Sequence, residues 1–256
     1  MSAATGPLGL SKSVAPVSLG TSPGSGTFEG TAQSVANCGR LGAMAHAFIG
    51  TGRPGGNSMF QSIAVAKFSD TLTATGPLVA AASAGFVSYQ FSIDGSLTAL
   101  GAPEAFYFGE TYMALDLQHQ GGPTYQVVNA TVRRGGIGTV SNRPPPAGWT
   151  TSEGSLIGGS TVFALDFPMV WGQAWDVGVG LVAWAYGTAD SNFLSTAKLT
   201  GLTLHDANHN LVSEFSLNAA SGTNYVSAVP EPQTWALWLL GLALLGGRGA
   251  HRFSRR

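Results

Sequence analysis

Hydrophobic and polar residues alternate along the middle of this chain. Val87, Tyr89, Phe91 and Ile93 interleave with Ser88, Gln90, Ser92 and Asp94, and the run closes on Asp94 and Gly95. That is the period of a half-buried strand ending in a turn. Met113, Leu115 and Leu117 repeat the pattern against Ala114, Asp116 and Gln118, as do Thr161, Phe163, Leu165 and Phe167 against Val162, Ala164 and Asp166. Residues 125–134 form a further run rich in Val and Thr. Val177, Val179 and Leu181 begin a strand that continues through Trp184 to Tyr186. Residues 196–204 and 211–217 flank His205, Asp206, Ala207, Asn208, His209 and Asn210, which reads as a hairpin loop. Residues 142–146, with three consecutive prolines, read as a loop. Residues 43–49 fit a strand or a short helix. No helical period of useful length precedes residue 229.

Turn signals recur at the spacing of a sandwich, and strict alternation means one buried face per sheet. The predicted fold is all-β, an antiparallel, jelly-roll-like β-sandwich over residues 28–228. Residues 1–27, rich in Gly, Ser and Pro, read as a disordered or loose lead-in.

The end of the chain breaks the pattern. Val229, Pro230, Glu231 and Pro232 form a stiff tetrapeptide, because each proline fixes its own φ and pushes its predecessor towards extended backbone. Thr234 can cap a following helix. Residues 235–245 hold no charge and are dense in leucine: Leu237, Leu239, Leu240, Leu242, Leu244 and Leu245. A helix apolar all round lies in a core or in lipid. A full span takes about 20 residues, which this run reaches with its flanks. Trp235 and Trp238 sit at one end, where amphipathic rings favour the membrane interface. Arg248, Arg252, Arg255 and Arg256 follow Gly246 and Gly247 at the other end, the charge pattern of a cytoplasmic C-terminus. A helix packed on a globular body is the other reading of an apolar run. It leaves the order of proline motif, charge-free run and arginine cluster unexplained.

Residues 229–256 resemble the PEP-CTERM sorting signal, the C-terminal address read by exosortases of Gram-negative bacteria. The likeness rests on Val229-Pro230-Glu231-Pro232, Thr234, the Gly241-Leu242 pair within the helix, and the arginines. It implies a single C-terminal transmembrane helix carrying Trp235, Leu237, Leu240, Gly241, Leu242 and Leu245. It implies export, transient residence in the inner membrane with lipid as partner, and cleavage by an exosortase-type enzyme near the proline motif. Delivery to the cell surface or extracellular matrix follows, commonly in association with exopolysaccharide. Two body stretches also resemble parts of such proteins. One is Phe68-Ser69-Asp70-Thr71-Leu72-Thr73; the other runs from Leu199-Thr200-Gly201-Leu202-Thr203 to Ser221-Gly222-Thr223-Asn224-Tyr225. Residues 1–27 contain no apolar signal-peptide core, since Pro16 interrupts residues 13–19, and in this the chain departs from the family pattern.

Composition narrows the function classes. Charged residues make up 10% of the 256 residues, against about 25% in ordinary soluble domains. Glycine occurs 36 times, as in turn-rich extracellular β-proteins. Four of the 12 Lys and Arg and one of the 13 Asp and Glu lie beyond residue 229, which leaves the body at net −4. An acidic body is not a nucleic-acid surface. Cys38 is the single cysteine, so no internal disulfide forms, and it is either a small buried hydrophobe or a free thiol.

No reaction is nominated. Asp206, Asn208 and Asn210 imitate the start of a calcium loop, but Leu211 stands where glycine is needed and Leu217 where glutamate is needed. His205 and His209 lie in a loop without further zinc ligands. Gly154-Ser155-Leu156-Ile157-Gly158 has the wrong spacing for a nucleophile elbow. Asp116, Asp166 and Asp176 are either a carboxylate pair facing one surface, as in a glycosidase, or separate solvated groups. Trp149, Trp171, Trp175 and Trp184 either fill the core or stack on sugars. Trp171 and Trp175, flanking Gly172, are the candidate sugar-stacking residues. The expected protein is a non-enzymatic surface or matrix component without cofactor, metal or nucleic acid. A carbohydrate-binding module with the same address is the alternative, and a secreted hydrolase the third reading.

Overall fold

The computed structural model describes residues 8–19, 26–49, 61–99, 109–134, 139–140, 149–152 and 155–225. These form fourteen strands: β1 (Leu8–Leu19), β2 (Gly26–Asn37), β3 (Arg40–Ile49), β4 (Gln61–Thr75), β5 (Ala84–Ala99), β6 (Gly109–His119), β7 (Thr124–Arg134), β8 (Thr139–Val140), β9 (Thr150–Ser152), β10 (Ser155–Val170), β11 (Ala174–Tyr186), β12 (Ala189–Asp206), β13 (Leu211–Val212) and β14 (Ser216–Ala219). All are antiparallel to their neighbours. An eight-stranded sheet runs β1-β2-β3-β12-β5-β10-β9, with β13 beside β12; a six-stranded sheet runs β14-β4-β11-β6-β7-β8.

The chain changes sheet from β3 to β4, from β4 to β5 and from β5 to β6, and again from β10 to β11 and β11 to β12. This places β3, β12, β5 and β10 side by side opposite β4, β11, β6 and β7, the double Greek-key wiring of a jelly roll. The antiparallel all-β expectation is therefore met. The predicted C-terminal helix lies outside the described residues, as does the proline loop at 142–146.

The alternation read from the sequence is the alternation that is buried. Tyr89, Phe91 and Ile93 of β5, Met113, Leu115 and Leu117 of β6, and Val177, Val179 and Leu181 of β11 face inward between the sheets. Residues 43–49 belong to a strand, β3, and bury Ala43, Ala45 and Ala47. Beside them β12 shifts register between Phe193 and Ala197. Its backbone there comes so close that a Cβ on Gly42 would lie 1.7 Å from the Leu194 carbonyl oxygen. Only a residue without a side chain fits under that bulge.

Two expectations are corrected. Residues 8–19 are not a loose lead-in but the edge strand β1, paired with β2 from Leu8 opposite Ala36 to Leu19 opposite Gly26. Pro16 falls where the register shifts between Val14 and Val17, at an edge, where its missing N–H removes nothing from the sheet. The segment at 211–217 is not one hairpin arm. Leu211 and Val212 pair with β12, and the chain then leaves the eight-stranded sheet so that Ser216–Ala219 pairs with β4 in the other. The described fold thus begins at Leu8, before the expected boundary, and closes at Tyr225.

Candidate functional site

The last described residues are tied to the body by one carboxylate. Asp70 sits on β4 at an inward position, 6% exposed. Its Oδ1 accepts the backbone N–H of Thr71 at 2.9 Å and of Ser221 at 3.0 Å. Its Oδ2 accepts the hydroxyls of Ser221 and of Tyr225, the latter at 2.8 Å. The Ser221 hydroxyl oxygen in turn accepts the Thr223 N–H at 3.2 Å. Burial, together with the adjoining Asp70 carboxylate, pushes the Tyr225 phenol well above its ordinary range. A buried carboxylate given four donors is satisfied and is used structurally. Residues 70–71 of β4 and residues 221–225 therefore meet in space and form this clasp. Cys38, a free thiol and half-buried, lines the adjoining hollow with Ser221 and Thr223.

A second polar cluster joins the sheets. His119 of β6 lies between Tyr89 of β5 and the Pro168 carbonyl of β10, both 2.9 Å away. The Trp175 indole N–H of β11 donates to the Tyr89 oxygen at 2.8 Å. A carbonyl only accepts and an indole only donates, so His119 carries its proton on Nε2 and Tyr89 donates to Nδ1. Burial lowers the His119 pKa, opposed by the Pro168 carbonyl, and raises that of Tyr89, opposed by Trp175. Phe167 stacks on the imidazole at 5.0 Å.

The expected sugar-stacking residues are corrected by their placement. Trp175 is 3% exposed and spends its N–H on Tyr89, while Trp171 is 1% exposed in the turn between β10 and β11. Neither ring presents a face to a ligand. Trp149 is also buried. Trp184 alone of the four lies on an open face, with its N–H donated to Gln61 at 2.9 Å and its ring parallel to that of Tyr186.

The three aspartates do not share a surface. Asp166 is on β10 of the eight-stranded sheet; Asp116 and Asp176 are on the open side of the six-stranded one. Asp116 pairs with Gly180, four residues along β11 from Asp176. Four residues of strand span about 13 Å, too far for the carboxylate separations of glycosidases. Asp176 accepts the Thr71 hydroxyl at 2.7 Å. Burial raises the Asp116 pKa, with Gln126 and Lys67 opposing. Asp206 is a loop organiser. It accepts the N–H groups of Asn208 and Asn210 and the Asn210 amide, and the Asn210 side chain contributes most to holding its pKa low. His209 stacks on Phe86 at 3.9 Å. Among the described residues no group of metal-ligating side chains gathers.

The open face of the six-stranded sheet carries a trench. Gly178 and Gly180 of β11 form its floor between Lys67 of β4 and Asp116 and Gln118 of β6, enclosing about 530 Å³. It continues, through Ser69, Gln118 and Gly178, into the hollow of about 640 Å³ beside Thr71, Asp176 and Ser221. At the other end stand Val65, Ile63 and Val182, and then Trp184 opposite Tyr112. The alternation of β11 foreshadowed this face, since Gly178, Gly180 and Trp184 share the parity opposite to the buried Val177 and Val179.

Beyond the clasp, residues 228–256 match the family model for the PEP-CTERM protein-sorting motif. The chain carries a PEP-CTERM sorting signal. The signal implies an exported protein, processed by an exosortase and sorted to the cell surface through a membrane-anchored C-terminus. The sorting residues Val229, Pro230, Glu231 and Pro232, the helix residues and the four arginines all fall inside the match and outside the described residues. Among the described residues no helix is long and apolar enough to cross a membrane. No curated protein and no solved structure is detectably similar to the chain.

Proposed function

We propose that this chain delivers a non-enzymatic β-sandwich to the bacterial surface or matrix, where it works alongside exopolysaccharide. The PEP-CTERM match over residues 228–256 carries the reading. The helix with Trp235, Leu237, Leu240, Gly241, Leu242 and Leu245 holds the chain in inner-membrane lipid. Arg248, Arg252, Arg255 and Arg256 keep its C-terminus cytoplasmic. An exosortase-type enzyme cuts near Val229, Pro230, Glu231 and Pro232, where two prolines keep the backbone extended. The clasp supports this division of labour. Asp70 fastens the body as far as Tyr225, three residues before the matched segment begins. The buried His119 and Asp70 are both spent on holding strands and the 221–225 segment in place, which supports a binding or structural role over a catalytic one.

The test is the mass and location of the mature protein in its own host, beside a variant with Pro230, Glu231 and Pro232 changed to Ala. The expected wild-type product lacks the tail mass and lies on the surface or in the medium, while the variant stays full-length in the membrane. A full-length, soluble cytosolic protein in both cases overturns the proposal.

A further inference from the structure

The floor of the trench is unusual for a strand. Gly178 and Gly180 occupy successive outward positions in the middle of β11, where glycine weakens a strand. Neither is demanded by the fold. Neither has a positive φ, and a Cβ at either would make only ordinary contacts, 3.7 Å from Gln118 and 3.6 Å from Lys67. Glycine that packing does not require, in a strand interior, marks a place where something approaches the backbone closely.

The walls describe what approaches. The floor backbone is already paired with β4 on one side and β6 on the other, so recognition falls to side chains. Gln118 is set for it. Its amide N–H is held by the Gly122 carbonyl at 2.9 Å, which leaves its oxygen over Gly178. Ser69 and Thr124 add hydroxyls, Thr71 adds an oxygen whose proton is donated to Asp176, and Asp116 and Asp176 outnumber the single cation Lys67. A nucleic acid needs a row of cations, and the lining offers only the single cation Lys67. A peptide in strand addition needs a free sheet edge, whereas the trench crosses the middle of a sheet. A polar trench open along its length fits a polymer rich in hydroxyls. The Trp184, Tyr112 and Tyr186 rings at its end offer the apolar surface that sugar faces use.

We propose that the trench binds an uncharged polysaccharide chain laid over Gly178 and Gly180, hydrogen-bonded by Gln118, Asp116 and the flanking hydroxyls. This rests on the reading that the body is delivered outside the cell, where such chains occur. The assay does not depend on sorting: full-length protein purified in a polyoxyethylene detergent is run through native gels cast with hydroxyethylcellulose, xylan, glucomannan or dextran. The expected result is retardation by at least one polymer. Gly178→Leu, which fills the floor, and Gln118→Ala should each weaken it about tenfold or more, the loss of one good polar or packing interaction. Phe48→Ala, on the open face of the other sheet, should leave it unchanged. Equal unfolding midpoints confirm that the variants are folded, and Gln118→Ala decides the matter if Gly178→Leu is not. No retardation by any polymer, or retardation indifferent to both trench variants, overturns the proposal. So does light scattering that shows a dimer dissociated by Trp184→Ala in a protein that no polymer retards, since the occupant is then a second copy of the chain.

Discussion

Changing Tyr89 to Phe tests how the two sheets are held together. Tyr89 is fully buried, and its ring would stay in place, so the apolar packing against Phe167 is kept. Only the hydroxyl goes. It accepts from the Trp175 N–H at 2.8 Å and donates to His119 Nδ1 at 2.9 Å, so its loss leaves one buried donor and one buried acceptor without a partner. Each such orphan costs about 1–3 kcal/mol, so the variant should lose about 2–6 kcal/mol, a large part of a typical domain's stability. Tyr112→Phe is the control. The Tyr112 hydroxyl accepts from Gln126 on the open face at 3.1 Å, where removal should cost under about 0.5 kcal/mol. Urea unfolding followed by tryptophan fluorescence measures both, with equal m-values required for the comparison. A loss below about 0.5 kcal/mol for Tyr89→Phe would refute the reasoning, because the orphaned groups would then have found water or each other.

The same cluster makes stability depend on pH. The folded His119 pKa lies below its ordinary value, so the unfolded chain binds a proton first. The stabilisation is complete above about pH 6.5 and is lost as pH falls towards the folded value. The urea midpoint should therefore drop between pH 7.5 and 5.5, and His119→Gln should flatten that slope; an equal slope in both proteins would assign it to other groups. At the clasp, Asp70→Asn sets an amide against donors that need an anion and should cost about 2–4 kcal/mol. Limited proteolysis should then cut between Ser221 and Tyr225 in the variant and not in the wild type, and equal resistance would mean that Asp70 does not hold this segment.

Local alternation was legible in the sequence because a sandwich buries one face of each strand. Parity alone puts Val177 and Val179 inside, and it puts Trp175 inside with them, so the sugar-stacking assignment of Trp175 conflicted with its own strand. The same count sends Trp184 outward, where it lies. β1 was missed because Gly9, its three serines and Pro16 give a loop composition, and an edge strand tolerates all of them. The pairing of distant strands was not legible. β3 joins β12 across most of the chain, and nothing local encodes that choice. The break between Val212 and Ser216 was hidden for the same reason, since each half reads as strand and only the partner differs.

The informative positions are those where residue type and parity disagree. Asp70 shares its parity with Ala64, Ala66 and Leu72, all buried. A carboxylate on the inner face of a strand must be given donors or it unfolds the protein, so the sequence demanded a clasp without naming Ser221 and Tyr225. His119 follows Leu115 and Leu117 inward by the same count and likewise required partners. Gly178 and Gly180 are the converse, absent side chains on an outer face where strand-forming residues cost nothing. An unpaired inward polar group has to be explained by structure, and the clasp and the Tyr89 cluster do so. Outward glycines in mid-strand are not explained by packing, and so the open face of the six-stranded sheet, rather than the buried carboxylate, is where a ligand is to be sought.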